Sequence, residues 1–261
     1  MPITSLKNAF DVKGLNVLIT GGTQGLGNAI ADGYAELGAN VGFTGRTQEK
    51  GEKAAAALQA KYPDVKVRFY RADQTRQEDA QAAVDGFVTD FGKIDVLVNN
   101  AGCGGGDDAI GYIKDNFANW HRVIALDLTA YFMMSAMAAE KMRDTGGGSI
   151  INITSNAGLV VNKPQKMVNY STAKAGANHM TEMLAWEWAE YGIRVNAIAP
   201  GYFKTALEIA DLAEQWLDMT PTGRFGEPIE VAALAVYLGA PASEQMTGAI
   251  LVIDGGYQLA N

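Results

Sequence analysis

A tyrosine and a lysine stand four residues apart in the segment Tyr170-Ser-Thr-Ala-Lys174. On a helix, residues at this spacing lie on the same face, one turn apart. The ordinary pKa of tyrosine is about 10, so a phenol alone is a poor base near neutral pH. An ammonium group held beside it stabilises the phenolate and lowers that pKa. The spacing therefore predicts a general acid–base pair for interconverting a carbonyl and an alcohol, although ordinary surface pairs share it.

A third candidate is Ser155, which comes at the end of a predicted strand and upstream of the helix that carries Tyr170. A hydroxyl at this place can hydrogen-bond the oxygen of a substrate and orient it against the tyrosine. Taken alone, the same serine fits a capping residue at a strand end. Its position upstream of the Tyr170–Lys174 pair favours the catalytic interpretation.

A glycine-rich turn, Thr20-Gly-Gly-Thr-Gln-Gly-Leu-Gly27, lies between the first predicted strand and the first long helix. Its glycines Gly21, Gly25 and Gly27 permit a tight turn and a close approach of the backbone. The helix that follows presents free N–H groups and the positive end of its dipole, both suited to a pyrophosphate. Many structural turns also contain three glycines, but the place of this one directly after a buried strand predicts a nucleotide site.

The choice between the two nicotinamide cofactors is expected at the end of the second strand, where an acidic residue would bind the ribose of NAD. The sequence has Thr44-Gly45-Arg46-Thr47 there. Because Arg46 can clasp a 2′-phosphate with several donors, the pattern favours NADP over NAD, with a solvated residue at a helix start as the alternative. Asp73, just past the third strand, could accept a hydrogen bond from the adenine amino group, or it could be a turn residue.

Short apolar runs rich in Val and Ile alternate with helix-patterned stretches along the chain. The predicted strands are Asn16–Thr20, Asn40–Thr44, Val65–Ala72, Ile94–Asn99, Ser149–Thr154, Ile193–Ile198 and Ala249–Ile253. The predicted helices are Gly25–Leu37, Glu49–Tyr62, Glu78–Phe91, Phe117–Arg143, Tyr170–Tyr191 and Pro228–Leu238. Buried-type strands that alternate with helices predict an α/β fold, a single Rossmann-type domain over residues 1–261. Its doubly wound parallel sheet would have about seven strands and helices on both faces.

The composition of the chain limits the classes of partner that the protein is expected to bind. The chain has 261 residues, a net charge of −8 and a pI near 4.8, with no basic patch of the kind that nucleic-acid binders carry. One cysteine, Cys103, and two histidines exclude an internal disulfide and a tetrahedral Cys/His zinc site, so no metal is predicted. Met1–Phe10 has no apolar signal region, and no run approaches a membrane-spanning length. We expect a cytoplasmic protein with no membrane partner.

Taken in order, these motifs resemble the short-chain dehydrogenase/reductase family from end to end. The glycine turn matches the cofactor turn of that family, and Asn99-Asn100-Ala101-Gly102 matches its fourth-strand motif. Ser155, Tyr170 and Lys174 match its catalytic residues, and Pro200-Gly201 with Thr205 matches its segment over the nicotinamide. The ordered combination is highly specific, whereas no single motif is.

The resemblance implies a role for each matching residue. Tyr170 would exchange the alcohol proton, Ser155 would position the carbonyl, and Lys174 would hold the nicotinamide ribose and lower the tyrosine pKa. Asn100, Ala101 and Gly102 would line the adenosine side, and Phe203 and Thr205 would meet the carboxamide or the phosphates. The resemblance also implies a homotetramer, built on the two long helices and the C-terminal strand. The full predicted cofactor set is Gly21, Thr23, Gln24, Gly25, Leu26, Gly27, Arg46, Asp73, Gln74, Asn100, Ala101, Gly102, Tyr170, Lys174, Gly201, Phe203 and Thr205.

The chain departs from the family at one catalytic position. The family usually has an asparagine on the long central helix, in a proton relay with the lysine, and the matching residue here is Asp127. An aspartate accepts a hydrogen bond but donates none unless protonated, and it is expected to raise the pKa of Lys174. The same substitution, together with Val161-Asn-Lys-Pro-Gln165 in the long gap between Ser155 and Tyr170, resembles the branch that reduces ketoses and polyols.

Substrate identity should depend on three loops beyond the strand ends, at Cys103–Ile110, Asn156–Asn169 and about 202–226. The leading hypothesis is hydride transfer between NADP(H) and a secondary alcohol or ketone of a sugar, polyol or sugar acid. A second hypothesis keeps this chemistry on a 3-oxoacyl thioester or a steroid ketone. A third is a regulator that binds the nucleotide without catalysis. The complete Ser155, Tyr170 and Lys174 set argues against the third.

Overall fold

A computed structural model of the protein describes residues 5–105, 109–205 and 213–260. Two of the predicted substrate loops, Cys103–Ile110 and about 202–226, therefore lie partly outside the described residues. The strands are β1 Asn16–Ile19, β2 Asn40–Gly45, β3 Val67–Arg71, β4 Val96–Asn99, β5 Gly148–Ile153, β6 Ile193–Pro200 and β7 Ile250–Ile253. The helices are α1 Leu6–Ala9, α2 Gly25–Glu36, α3 Gln48–Lys61, α4 Gln77–Phe91, α5 Ala118–Ile124, α6 Ala130–Arg143, α7 Val168–Trp188, α8 Ala213–Asp218 and α9 Pro228–Gly239.

The seven strands form one parallel sheet in the order β3-β2-β1-β4-β5-β6-β7. The strand order reverses direction between β1 and β4, and ligands of open α/β sheets bind beyond the carboxyl ends of the strands at such a point. The glycine-rich turn follows β1, the Asn99–Gly102 motif follows β4, and Ser155 follows β5. The topology thus brings the predicted cofactor and catalytic segments to one edge of the sheet.

Two apolar layers cover the sheet, one on each face. Helices α2, α3 and α9 pack on one face around Ile30, Leu58 and Val231. Helices α4, α6 and α7 pack on the other face around Val84 and Met134. The predicted doubly wound α/β fold is confirmed. The edge strands β3 and β7 are less buried than the inner strands, since each lacks a neighbour on one side.

The long central helix differs from its prediction. We expected one continuous helix over Phe117–Arg143, but a π-helical turn at Ala125–Thr129 separates α5 from α6. Such turns add one residue to the helix and are frequent at functional sites. Here the turn carries Asp127, whose side chain is fully buried.

The same helical segment qualifies the expectation that no run approaches a membrane-spanning length. Over Ala118–Arg143 it is long and apolar enough to cross a bilayer by length and composition alone. In the fold, however, its apolar residues Met134, Ala138 and Met142 pack against the sheet. A core helix of this kind passes the same composition test.

Candidate active site

Lys174 lies on the first turns of α7 with its side chain only 3% exposed. Its Nζ donates hydrogen bonds to Tyr131 Oη and to the carbonyl oxygen of Ile153, both at 3.0 Å. Asp127 Oδ1 lies 3.1 Å from the same nitrogen and forms an ion pair with it. Three oxygen atoms from three different elements therefore hold this ammonium in place.

The surroundings of Lys174 decide its charge. Burial by itself would lower the pKa of Lys174, but the nearby Tyr131, Asp127 and Tyr170 side chains outweigh burial and raise it. The contribution of Asp127 has the direction expected from the sequence. Lys174 therefore stays a cation at neutral pH, even though it is almost withdrawn from solvent.

Tyr170 lies on α7, one turn before Lys174, and it is partly exposed. Its backbone N–H donates to Asn169 Oδ1 at 2.8 Å, which ties down the start of the helix. The Lys174 Nζ lies 5.6 Å from the centre of the Tyr170 ring. The i, i+4 spacing thus places the cation beside the phenol, and the phenol on the open side of the pair.

Ser155 is buried at the end of β5, in extended backbone, where its Oγ accepts a hydrogen bond from Ala157 N–H at 3.1 Å. The short turn that follows it packs tightly on α7. A Cβ added at Gly158 would lie 2.7 Å from the carbonyl carbon of Lys174. Ser155 is thus a cap, as its alternative interpretation held, and its turn is also anchored against the helix that carries Tyr170 and Lys174.

The residues that follow β4 pack against the carboxylate of Asp127. Cys103 N–H donates to Asp127 Oδ2 at 3.0 Å, and Cys103 Sγ lies 3.4 Å from the same oxygen. A Cβ added at Gly102 would lie 2.7 Å from Asp127 Oδ1, so a side chain at this position would displace the carboxylate. Burial, followed by the charge of Asp127, raises the pKa of Cys103 to about 11. The thiol is therefore protonated at neutral pH, and this fits a passive wall residue better than a nucleophile.

The glycine-rich turn folds as its sequence predicts. Gly21 and Gly25 adopt positive φ angles of 68° and 58°. A Cβ at Gly27 would lie 2.4 Å from the carbonyl oxygen of Gly21, so only glycine permits this close approach. Asn100 Nδ2 donates to the carbonyl oxygens of Thr20 and Gly21 and fastens the turn to the end of β4. Asn100 is therefore a structural tie of the turn, in addition to any contact with a ligand.

These features fit a dinucleotide. The turn leads into the N-terminus of α2, where Gln24 caps the helix without a side-chain hydrogen bond and leaves backbone N–H groups available. A Cβ at Gly25 would contact nothing closer than Thr205 Cγ2, at 4.0 Å. The space in front of the helix is open, and Thr205 faces it from across the sheet.

A cavity of about 310 Å³ lies beyond the ends of β2 and β3, where the ribose of such a ligand would reach. The lining residues are Arg46, Arg71, Asp73, Arg76 and Asp79. Partial burial acts to raise the pKa of Asp73, but hydrogen bonds from Thr75 and the charges of Arg46 and Arg76 lower it overall. The structure thus places the predicted Arg46 and Asp73 together, and it adds two arginines that the sequence reasoning missed.

Two other predicted cofactor residues have side chains that face inward. Gln74 is buried and donates a hydrogen bond to Thr44 Oγ1. Phe203 is buried in the apolar layer of α2 and α9, against Gly226. Contacts of these two residues with a cofactor would therefore come from their backbone atoms. Their side chains instead fix the ends of β2 and β6.

Polar and aromatic side chains surround the third predicted loop. Tyr202 stacks on Trp216 with ring centres 4.4 Å apart, and its hydroxyl donates to Gln165 Oε1 at 3.2 Å. Asn162 Nδ2 donates to Asn156 Oδ1 at 3.1 Å. Burial, followed by a hydrogen bond with Tyr257, raises the pKa of Tyr202, which therefore stays neutral. The motif Val161–Gln165 thus contributes amide groups next to the turn of Ser155.

Comparison with known proteins agrees with this geometry. A family profile described as enoyl-(acyl carrier protein) reductase matches residues 21–258. The NADP-dependent mannitol dehydrogenase of Hypocrea jecorina is 38% identical over 97% of this chain and 95% of its own length. The galactitol 2-dehydrogenase (L-tagatose-forming) of Cereibacter sphaeroides is 37% identical over 96% of this chain and 98% of its own.

A solved structure extends the agreement to the whole fold. A short-chain type dehydrogenase/reductase from Mycobacterium marinum superposes with a TM-score of 0.90 and 34% identity. The match covers 97% of this chain and 99% of the other. With its parallel sheet, its glycine turn and its Ser155–Tyr170–Lys174 arrangement, the chain belongs to the short-chain dehydrogenase/reductase family of NAD(P)-dependent oxidoreductases.

Proposed function

We propose that this enzyme transfers a hydride between NADP(H) and a secondary alcohol or ketone of a polyol, sugar or sugar acid. The observation that carries the chemistry is the buried Lys174 ammonium, fixed by three oxygen atoms beside the Tyr170 ring. A fixed cation at this place stabilises the phenolate form of Tyr170 electrostatically. The pair can thereby serve as general acid and general base.

A nicotinamide cofactor held in front of the glycine-rich turn would supply the hydride for reduction of the carbonyl carbon. Ser155 Oγ hydrogen-bonds the carbonyl oxygen and orients it against Tyr170. Tyr170 Oη donates its proton to that oxygen as negative charge develops there, and Lys174 stabilises the resulting phenolate. Oxidation of the alcohol runs through the same groups in reverse, with the phenolate taking the proton.

The preference for NADP rests on the arginine cavity. Arg46, Arg71 and Arg76 line it, and each side chain offers several donors for a phosphate. A carboxylate that would repel a 2′-phosphate is missing from the end of β2, which reads Thr44-Gly45-Arg46. The name of the relative from Hypocrea jecorina includes the same cofactor.

The substrate class rests on the polar residues of the second loop, on the aromatic residues of the third loop and on the relatives. Asn156, Asn162 and Gln165 bring amide groups next to the turn of Ser155, and the stacked Tyr202 and Trp216 form an aromatic wall. Amides and aromatic faces suit the hydroxyls and ring faces of a sugar. A steroid or an acyl thioester would favour an apolar pocket, and a thioester carrier would need a basic patch. The mannitol and galactitol relatives support the sugar alcohol.

Measuring the turnover of a Tyr170 variant distinguishes the proposed enzyme from the alternative, a regulator that binds the nucleotide without catalysis. Tyr170→Phe removes the hydroxyl and keeps the ring beside Lys174. We expect this variant to bind NADPH as the wild type does, by fluorescence titration, and to lose ketone reduction by a factor of about 10³. The substrates would be fructose, sorbose, xylulose and a keto-gluconate, with an acetoacetyl thioester and a 3-ketosteroid as the alternatives. Unchanged turnover in the variant would reject the proposed mechanism, and a preference for NADH would reject the role of the arginine cavity.

We infer that the enzyme assembles as a homotetramer through α5, α6 and α7. Helices α6 and α7, which cover the same face of the sheet, expose large apolar side chains to solvent, among them Phe132, Met183 and Trp186, the last 79% exposed. Apolar residues exposed on neighbouring elements are typical of protein–protein contacts. The partly exposed edge strand β7 offers a second contact. A cytoplasmic location, and the lack of nucleic-acid and membrane partners, stay predictions from composition.

A further inference from the structure

Tyr131 lies on the first turn of α6, four residues after Asp127, with its side chain 1% exposed. Its hydroxyl accepts a hydrogen bond from Lys174 Nζ at 3.0 Å and donates one to the Ile153 carbonyl oxygen at 2.9 Å. The same carbonyl oxygen accepts from Lys174 Nζ at 3.0 Å. Tyr131, Lys174 and the end of β5 therefore form a closed triangle of hydrogen bonds.

This triangle restrains a side chain that is otherwise flexible. A lysine has a four-carbon stem and about 2 kcal/mol of rotamer entropy, so a single contact leaves its head group free to move. The carbonyl of Ile153 belongs to the sheet and is rigid. Tyr131 adds a second rigid oxygen. The centre of its ring also lies 4.6 Å from Lys174 Nζ. Asp127 supplies the opposite charge from a third direction.

We propose that Tyr131 is a positioning residue of the reaction, whose hydroxyl fixes the Lys174 ammonium where its charge stabilises the Tyr170 phenolate. The inference rests on the proposed function, because it assigns to Tyr131 a role that is exerted through Lys174 and Tyr170. None of the sequence motifs included this residue. Coulomb energy varies with distance, so a small shift of the ammonium changes the stabilisation of the phenolate.

Among the described residues, Asp127 on the π-helical turn and Tyr170 on α7 are the other ionisable groups that act on this pair directly. Cys103 after β4 is influenced by the charges of Lys174 and Asp127. Arg122 on α5 acts on Cys103, and Tyr202 after β6 interacts with Tyr170, so both lie one step further from the pair. Burial, opposed by the charge of Lys174, raises the pKa of Tyr131 itself to about 12. Tyr131 is therefore neutral between pH 6 and about 10, so a pH effect of its removal in that range comes from the groups that it positions.

The test is Tyr131→Phe, which removes the hydroxyl and keeps the ring under the ammonium. The measurement is the pH dependence of kcat for alcohol oxidation with NADP between about pH 6 and 10. We expect kcat at neutral pH to fall by about tenfold and the half-maximal pH to rise by about one unit, because a less well-placed ammonium stabilises the phenolate less. The KM for the alcohol should change by less than about twofold, since Tyr131 does not face the substrate.

Tyr34→Phe is the matched control. Tyr34 is also a fully buried tyrosine, and its hydroxyl donates to a backbone carbonyl, that of Ala235, at 2.6 Å. It lies in the apolar layer of α2 and α9, away from Lys174. Both Tyr34→Phe and Tyr131→Phe should lose stability in urea, but Tyr34→Phe should keep the pH profile of the wild type.

If Tyr131→Phe loses stability and keeps the wild-type pH profile, its role is purely structural and the inference is wrong. Should that variant fail to fold, 3-fluorotyrosine at position 131 keeps the shape and both hydrogen bonds but makes a poorer acceptor for Lys174. A smaller shift of the profile in the same direction supports the inference, and an unchanged profile overturns it.

The variant Tyr170→Phe separates the inference about Tyr131 from the proposed function. If that variant stays active, the proposed function fails. If it is inactive while Tyr131→Phe has the wild-type profile, only the inference fails.

Discussion

Asp127 Oδ1 and Lys174 Nζ lie 3.1 Å apart in a place where the carboxylate is 0% and the ammonium 3% exposed. The two charges come from different elements, the π-helical turn and α7. A buried ion pair gains little over apolar residues, but the removal of one partner leaves an uncompensated charge. The position of the Lys174 charge beside Tyr170 therefore depends on the π-helical turn that carries Asp127.

Asp127→Ala should lower the free energy of unfolding by about 3–5 kcal/mol, because it leaves the buried Lys174 ammonium without its counter-charge. Asp127→Asn should cost less, since the one amide oxygen can still either accept from the Cys103 N–H or face the ammonium, although it cannot do both. Urea unfolding of both variants measures the difference. Equal stability of the alanine variant and the wild type would show that solvent or another anion compensates Lys174.

The sequence predicts the elements of this fold because their ends are marked by glycines and buried runs. Gly38, Gly92 and Gly192 follow α2, α4 and the helical segment of α7, and all three have positive φ angles, as helix-ending glycines do. Observed boundaries lie close to the predicted ones. The π-helical turn at Ala125–Thr129 is different, because one added residue in a helix leaves no mark in composition or apolar periodicity.

The site residues that were missed depend on register and not on motifs. Gly45 pairs with Arg71 between β2 and β3, which places Arg71 beside Arg46 at the sheet edge. Two parallel strands give no sign of their register in the sequence, so Arg71 has no local signal. Tyr131 does have one, since it stands four residues after Asp127 and shares its helix face. The roles predicted for Ser155, Tyr170 and Lys174 stay predictions until variants are assayed.

Gly102→Ala should disrupt the active site from the side of the β4 loop. The added Cβ would lie 2.7 Å from Asp127 Oδ1, so either the carboxylate or the loop must shift, at a cost of about 1–3 kcal/mol. We expect lower stability and a kcat reduced by more than about tenfold, because Asp127 contacts Lys174. Gly104→Ala, two residues along the same loop, is the control, since a Cβ there meets nothing within 4 Å. If the two variants behave alike, the crowding at Gly102 does not matter.

Trp186→Glu should weaken the assembly of subunits. The indole is 79% exposed on α7, and a carboxylate at that place would have to be buried unpaired in a contact with another copy. Sedimentation velocity should show a species smaller than that of the wild type. Leu37→Glu, at an exposed position that ends α2 on the other face of the sheet, should leave the size unchanged. A wild-type protein that sediments as a monomer would refute the proposed tetramer.

Cys103 should react slowly with iodoacetamide at pH 8 and progressively faster as the pH rises. Only the thiolate reacts, and the pKa of Cys103 is raised to about 11 by burial and by the charge of Asp127. A higher pKa leaves less thiolate at a given pH, so the folded protein should react more slowly than the chain in urea. Asp127→Asn removes the negative charge and should speed the reaction at pH 8. The prediction fails if the rate levels off below about pH 9, as it would for an ordinary thiol with a pKa near 8.5.

Arg71→Ala should raise the KM for NADPH and leave the KM for NADH almost unchanged. Arg71 shares its cavity with Arg46 and Arg76, and a charge-assisted hydrogen bond to a phosphate contributes about 1.5–3 kcal/mol, or roughly 10- to 150-fold in affinity. Arg46→Ala should have at least the same effect. Arg68→Ala is the matched control, because Arg68 is an exposed arginine of the same strand and does not line the cavity. If Arg71→Ala raises the KM for NADH and the KM for NADPH equally, Arg71 contacts a part of the cofactor that NADH and NADPH have in common. The 2′-phosphate would then be recognised by Arg46 and Arg76 alone or at another place.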